Sequence, residues 1–169
     1  MSPLLTRAGQ IAGLDTSPLL RLRLMSESLL TIIFHRLDHI WVYEHDYRDL
    51  GGAELRTLLA QRKAFEHCVS GVLVEAVYQG ALQTTETRLA TLQFLNLHNH
   101  TYQWVRPHGP WSPAFLSREC CSTFFRGFGA PESVVREVET RAQVFKHLHT
   151  ELPLDPEADW IPVPAGTDV

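Results

Sequence analysis

The chain has 169 residues, 44% of them apolar and 20% charged, which suits one globular domain with a real core and excludes disorder of the whole chain. A net charge of −4 and a pI near 6.1 argue against a nucleic-acid-binding surface of its own. Three cysteines, two of them adjacent, make no disulfide framework. No secretory leader and no membrane-spanning run is expected, so a reduced cytoplasm is the expected compartment.

In chain order, residues 1–15 carry Leu4, Leu5, Ala8, Ile11 and Ala12 at roughly helical spacing and read as a helix remnant or an arm. Asp15, Thr16 and Ser17 before Pro18 signal a helix start, and the apolar period from Leu19 runs to Leu37, with a break at Asp38. A shorter helix with Ile40, Trp41, Tyr43 and Tyr47 is predicted over 39–50, ended by Gly51 and Gly52. The longest helix is predicted over 53–79 and stops at Gly80. Thr84 or Thr85 is expected to cap the next helix, with Glu86 in its first turn. An amphipathic helix is predicted over 132–149, with Val134, Val138, Ala142, Phe145 and Leu148 on its apolar face. Residues 150–169 are Pro-rich and acidic and read as a flexible tail. The main domain is therefore expected over 16–149, all-α, as an antiparallel helical bundle.

The most informative stretch runs from Thr91 to Gly127. Leu92, Phe94, Leu95, Leu97, Tyr102, Trp104 and Val105 place apolar groups on nearly every side of one helix, predicted to run to Arg106. Pro107, Gly109 and Pro110 stop it, and Ser112-Pro113 restarts a second helix with Ser as cap and Pro in the first turn. Phe115, Leu116, Cys120, Phe124 and Phe128 give that helix an apolar stripe. Such a hairpin has more apolar surface than a small solvated bundle can cover, so a partner chain, a ligand or both are expected.

The run His100-Thr101-Tyr102-Gln103-Trp104-Val105-Arg106-Pro107-His108-Gly109, then Ser112-Pro113, then Phe125-Arg126-Gly127, resembles the last two helices of TetR-type transcriptional regulators. It is closest to the branch whose effectors are acyl-CoA thioesters or steroid-degradation intermediates. His100 and Val105 depart from that pattern. The resemblance covers roughly residues 16–128 and implies an effector-binding and dimerisation domain; with no nucleophile, acid/base pair, P-loop or Gly-x-Gly-x-x-Gly motif identifiable, no enzyme and no cofactor are expected. It implies a homodimer built on Leu97, His100, Thr101, Trp104, Phe115, Cys120 and Phe124. It also implies a cavity for a hydrophobic small molecule, with Phe34, His35, Trp41, Phe65, Val69, Leu95, His98, Tyr102 and Arg106 as its contacts. The family's three-helix DNA-binding head finds no counterpart before Thr16, so direct DNA contact is not expected from this chain.

Several residues also have plainer readings. Aromatic residues at helical spacing are commonly plain core. Arg106 and Arg126 suit either an anionic ligand head or a salt bridge at a helix end. The nine histidines invite a metal site, but His35 and His39 flank the expected break, and His98 and His100, like His147 and His149, diverge on a helix. No metal site is therefore expected. A DinB-like metal-dependent four-helix bundle is the runner-up, weakened by His98-x-His100 standing where a His-x-x-x-His pair is needed. Adjacent Cys120 and Cys121 suit packing better than a disulfide.

Overall fold

In a computed structural model, residues 3–35, 52–106 and 108–149 are described. They form six α-helices and one 3-10 turn, with no strand among them. The helices are α1 (Pro3–Ala12), α2 (Pro18–His35), α3 (Gly52–Tyr78), α4 (Thr87–Asn99), α5 (Pro113–Gly127) and α6 (Glu132–Leu148), and the 3-10 turn is His100–Gln103. The helix expected over 39–50 and the tail over 150–169 lie outside the described residues. None of the described helices is long and apolar enough to cross a membrane.

Helix α2 is the axle of the bundle. It touches every other described element, and all but a few of its residues between Pro18 and Ile33 are buried. Leu19, Leu22, Met25 and Leu30 meet Val69, Leu73 and Ala76 of α3, Phe94 of α4 and Phe125 of α5 in one continuous core. Ser17 Oγ accepts from Leu20 N, so the cap read from the sequence starts α2. Helix α1 is a true helix that lays Ala8 and Ile11 into the same core. The buried Arg21 holds its end, donating to Ala12 O at 2.9 Å and pairing with Glu75 of α3.

Two boundaries and one buried face differ from expectation. Helix α4 is capped by Glu86, whose carboxylate accepts from Arg88 N, while Thr84 Oγ1 accepts from Glu86 N one step earlier. The longer Glu side chain reaches the free amides that either Thr was expected to serve. Helix α4 also stops at Asn99 and tightens into the 3-10 turn instead of running to Arg106. Thr101 Oγ1 donates to His98 O at 2.7 Å there, a local bond that favours the tighter turn. On α6 the buried face is Val135, Val138 and Ala142, rotated from the expected stripe so that Val134 is half-buried and Leu148 exposed.

The turns that position α5 and α6 need glycine. Gly129 has φ +84°, a left-handed value, and bonds from Gly129 N to Arg126 O and from Ala130 N to Phe125 O close the end of α5. A Cβ there would be strained by that conformation and would meet the Gln83 side chain at 3.1 Å, which would have to shift by a few tenths of an ångström.

Candidate functional site

The centre of the bundle is polar. Arg23 on α2 is only 1% exposed. Its Nε donates to Glu139 of α6 at 2.8 Å, and Nη1 donates to Glu27 at 2.7 Å and to Ser117 Oγ at 2.8 Å. Its Nη2 donates to Ala114 O of α5 and to the second Glu139 oxygen, each at 3.2 Å. Burial works to discharge the guanidinium, but the Glu139 bond and the charges of Glu27 and Glu139 outweigh it, so its pKa is raised. Glu139 answers in kind: burial opposes its charge, and Arg23 holds its carboxyl below the usual range. Lys146 of α6 closes the set on Glu27 at 2.9 Å.

From Arg23 the bonding runs in one direction. Ser117 Oγ donates to Ser26 Oγ at 2.7 Å, and Ser26 lies 2.6 Å from His98 Nε2. The other ring nitrogen, Nδ1, lies 2.6 Å from Phe94 O, which can only accept. His98 therefore carries its proton on Nδ1, and Nε2 accepts from Ser26. A neutral imidazole satisfies every partner. Complete burial pushes the His98 pKa down to about 4, with the Arg23 charge adding to the effect. Cys121 beside this chain is buried and pushed up to about 12, chiefly by burial, so it is an inert thiol.

The nine residues expected to contact a ligand divide into groups. Phe65, Val69 and His98 are in the core. Phe34, Leu95 and Tyr102 are half-buried at its edge. His35 is exposed and gives Nδ1–H to Thr31 O at 2.7 Å, and Arg106 is exposed at the corner. Trp41 lies outside the described residues. Phe34, Leu95 and Tyr102 pack against the core that holds Phe65 and Val69, and α2, α3, α4 and the 3-10 turn, which carry these residues, contact one another.

The residues expected at a dimer interface divide more sharply. Leu97 is 41% exposed and Trp104 50% exposed, and His100 and Phe115 also face solvent. Leu89, Leu92 and Trp111, outside the expected interface set, are exposed as well. Trp104 and Trp111 meet edge to face at 5.9 Å, and Arg118 lies over the Phe115 ring at 5.0 Å. Cys120 is half-buried. Thr101 and Phe124 point into the protomer: Phe124 packs on Phe94 at 5.2 Å and on Phe128 at 4.6 Å.

Sequence reasoning missed Arg23, Ser26 and Ser117. A signal was present in LLRLRLM: Arg21 and Arg23 are two apart and face different ways, so a helix buried all round must bury a charge. Among the described residues no group of three or more His, Cys, Asp or Glu is placed to share a metal ion.

Residues 15–128 match the family model described as the tetracyclin repressor-like, C-terminal domain. No curated protein matches the chain. The fold is similar to that of the TetR family transcriptional regulator PfmR from Thermus thermophilus, with a TM-score of 0.67, 20% identity, and coverage of 73% of this chain and 67% of that one. TetR-family proteins act as dimeric transcription factors that bind small-molecule effectors, and they are not enzymes, which displaces the metal-dependent bundle as a reading. With the matched span taking in well over half of its residues, the chain belongs to the TetR family of transcriptional regulators.

Proposed function

We propose that this chain supplies the effector-binding and dimerisation domain of a TetR-type regulator and works in the cytoplasm as a homodimer. One observation carries the reading. The α4–α5 hairpin turns Leu89, Leu92, Leu97, Trp104, Trp111 and Phe115 to solvent in a single protomer. An apolar face this broad, rimmed by His100 and Arg118, is what a partner chain covers. A two-fold axis would lay it against its own copy. Thr101 and Phe124 are left out of that interface, because their side chains already complete the protomer.

The effector in this reading is a hydrophobic small molecule held at the edge where α2, α3 and α4 converge. Phe34, Leu95 and Tyr102 would line its entrance over Phe65 and Val69, and Arg106 at the corner would meet an anionic head. His98 is left out because both its ring nitrogens are engaged. The resemblance of the hairpin motif makes acyl-CoA thioesters the first class to test. Binding would favour one dimer geometry by population shift. In a TetR-type regulator that geometry sets the spacing of two DNA-binding heads, so the effector releases the operator. The domain itself makes no DNA contact.

Native mass spectrometry of the chain at low micromolar concentration is the test. A dimer is expected for the wild type. Leu97→Asp leaves the protomer folded by circular dichroism but weakens dimerisation by about tenfold or more, since it buries an unpaired charge at the interface. A monomeric wild type, or a Leu97→Asp dimer as tight as wild type, overturns the reading.

A further inference from the structure

Helix α6 lies beyond the span matched by the family domain and builds a feature of its own. It touches α2 and α5 but not α4. Between α5 and α6 runs a groove of about 440 Å³, within the range of roughly 300–1,000 Å³ usual for small-molecule clefts. Its floor is apolar: Cys121 and Phe125 from α5, and Val135 and Val138 from α6, all buried. Its α5 wall is one helical row, Arg118, Ser122 and Arg126 at i, i+4 and i+8. Its α6 wall carries Arg136 and Thr140, and Arg23 lies at the base.

The guanidinium groups at this groove are not equally held. Glu139 is held by Arg23, and Glu119 by Arg118 at 2.9 Å. Glu132 is shared: Arg126 holds it at 2.6 Å, while Arg136 reaches it only at 4.0 Å. Arg23 is thus held by Glu27 and Glu139, Arg118 by Glu119 and Arg126 by Glu132, which leaves Arg136 as the weakly held guanidinium of a groove lined also by the hydroxyl groups of Ser122 and Thr140. Carboxylates and phosphates are the groups that a guanidinium fork binds in pairs of hydrogen bonds.

We propose that the α5–α6 groove is a second ligand site, for a small acid whose apolar body rests on Phe125, Val135 and Val138 and whose anionic head is held by Arg126 and Arg136. The site is separate from the effector edge at α2, α3 and α4.

The test is a titration of the isotope-labelled full chain, followed by amide NMR, with octanoate and octyl phosphate in separate arms and octanol as the uncharged control. Saturable shifts over residues 118–126 and 135–140 are expected with one or both acids, and the arm that binds tighter identifies the head group. The variant Arg126→Gln/Arg136→Gln changes two exposed side chains, keeps its circular dichroism and melting curve, and weakens the acid by about tenfold or more. The proposal is overturned by the absence of saturable shifts, by octanol binding as well as the acids, by a double variant that binds as wild type, or by shifts confined to α3 and α4. None of these outcomes bears on the oligomeric state, so the dimer reading stands or falls apart from this one.

Discussion

The centre of this bundle and its α4–α5 face invert the usual arrangement. A guanidinium, two hydroxyls and an imidazole lie where a small helical protein ordinarily places only aliphatic groups, and two tryptophans, three leucines and a phenylalanine stand in solvent. Each half has its own physical condition. Charge is tolerated inside because every donor of Arg23 and both nitrogens of His98 find partners. Apolar surface is tolerated outside when a second molecule covers it. The first condition is met within one protomer and the second is not. The centre therefore answers to folding and the face to association, and mutations should separate the two.

The largest separation is expected from Arg23→Ala. It leaves Glu139 without its cation, Glu27 with Lys146 alone and Ser117 without its donor, and breaking a buried pair in this way costs roughly 3–5 kcal/mol. Urea denaturation at fixed protein concentration should show a loss of that size, with α6 released first because Glu139 is one of its anchors on α2. A change confined to dimer affinity, with protomer stability intact, would erase the distinction between centre and face.

The second effect is on pH. His98 has a folded pKa near 4, below the ordinary value of 6.5, so the unfolded chain takes up this proton first as pH falls. The neutral imidazole's contribution is complete above about pH 6.5 and is lost progressively down to about pH 4, and the shift corresponds to something on the order of 3 kcal/mol. In His98→Leu that dependence disappears. The variant costs about 1–3 kcal/mol at pH 7, because Ser26 keeps a buried hydroxyl with no acceptor. Urea midpoints of both proteins at pH 7 and pH 4.5 make the check, and parallel pH slopes would sink the reading of His98 as an imidazole that folding keeps neutral.

The two regions were not equally legible in the sequence. The face was read because it depends on local signals: the apolar excess from Leu92 to Val105, the Pro107–Pro110 stop, and the Ser112-Pro113 restart together define a hairpin with surface to spare. The long helix was read within a residue at each end, Gly52–Tyr78 against 53–79, because an apolar period and a glycine stop are also local. The hub escaped because its members are far apart in the chain. Arg23 meets Ser117 across 94 residues and Glu139 across 116, and no periodicity carries such a pairing. His98 was expected as a ligand contact, but only the approach of Ser26 reveals that its hydrogen-bonding capacity is already used. Thr101 and Phe124 were assigned outward for a related reason. Both came from the resemblance, which assigns whole helices to an interface and does not show which side chains the protomer's own core takes up: Thr101 donates to His98 O, and Phe124 packs on Phe94.

The smallest effect is expected from Ser112→Ala, and it falls on the face alone. Ser112 Oγ accepts from Phe115 N at 3.1 Å and, with Pro113 behind it, fixes where α5 begins. The bond is exposed and remote from Arg23, so its loss should cost about 1 kcal/mol, the ordinary value of a cap. Its position gives it a second consequence. The first turn of α5 carries Phe115, and the corner before it carries Trp111 against Trp104. Fraying that turn loosens three of the six large apolar groups on the face at once. Dimer dissociation should therefore shift by a few-fold while the pH dependence conferred by His98 stays as in wild type, because none of the groups around the imidazole has moved. Native mass spectrometry over a dilution series measures the first, and urea midpoints at two pH values measure the second. A Ser112→Ala protein that altered the His98 titration would mean the corner and the core are mechanically one unit, and the division between a folding centre and an association face would have to be abandoned.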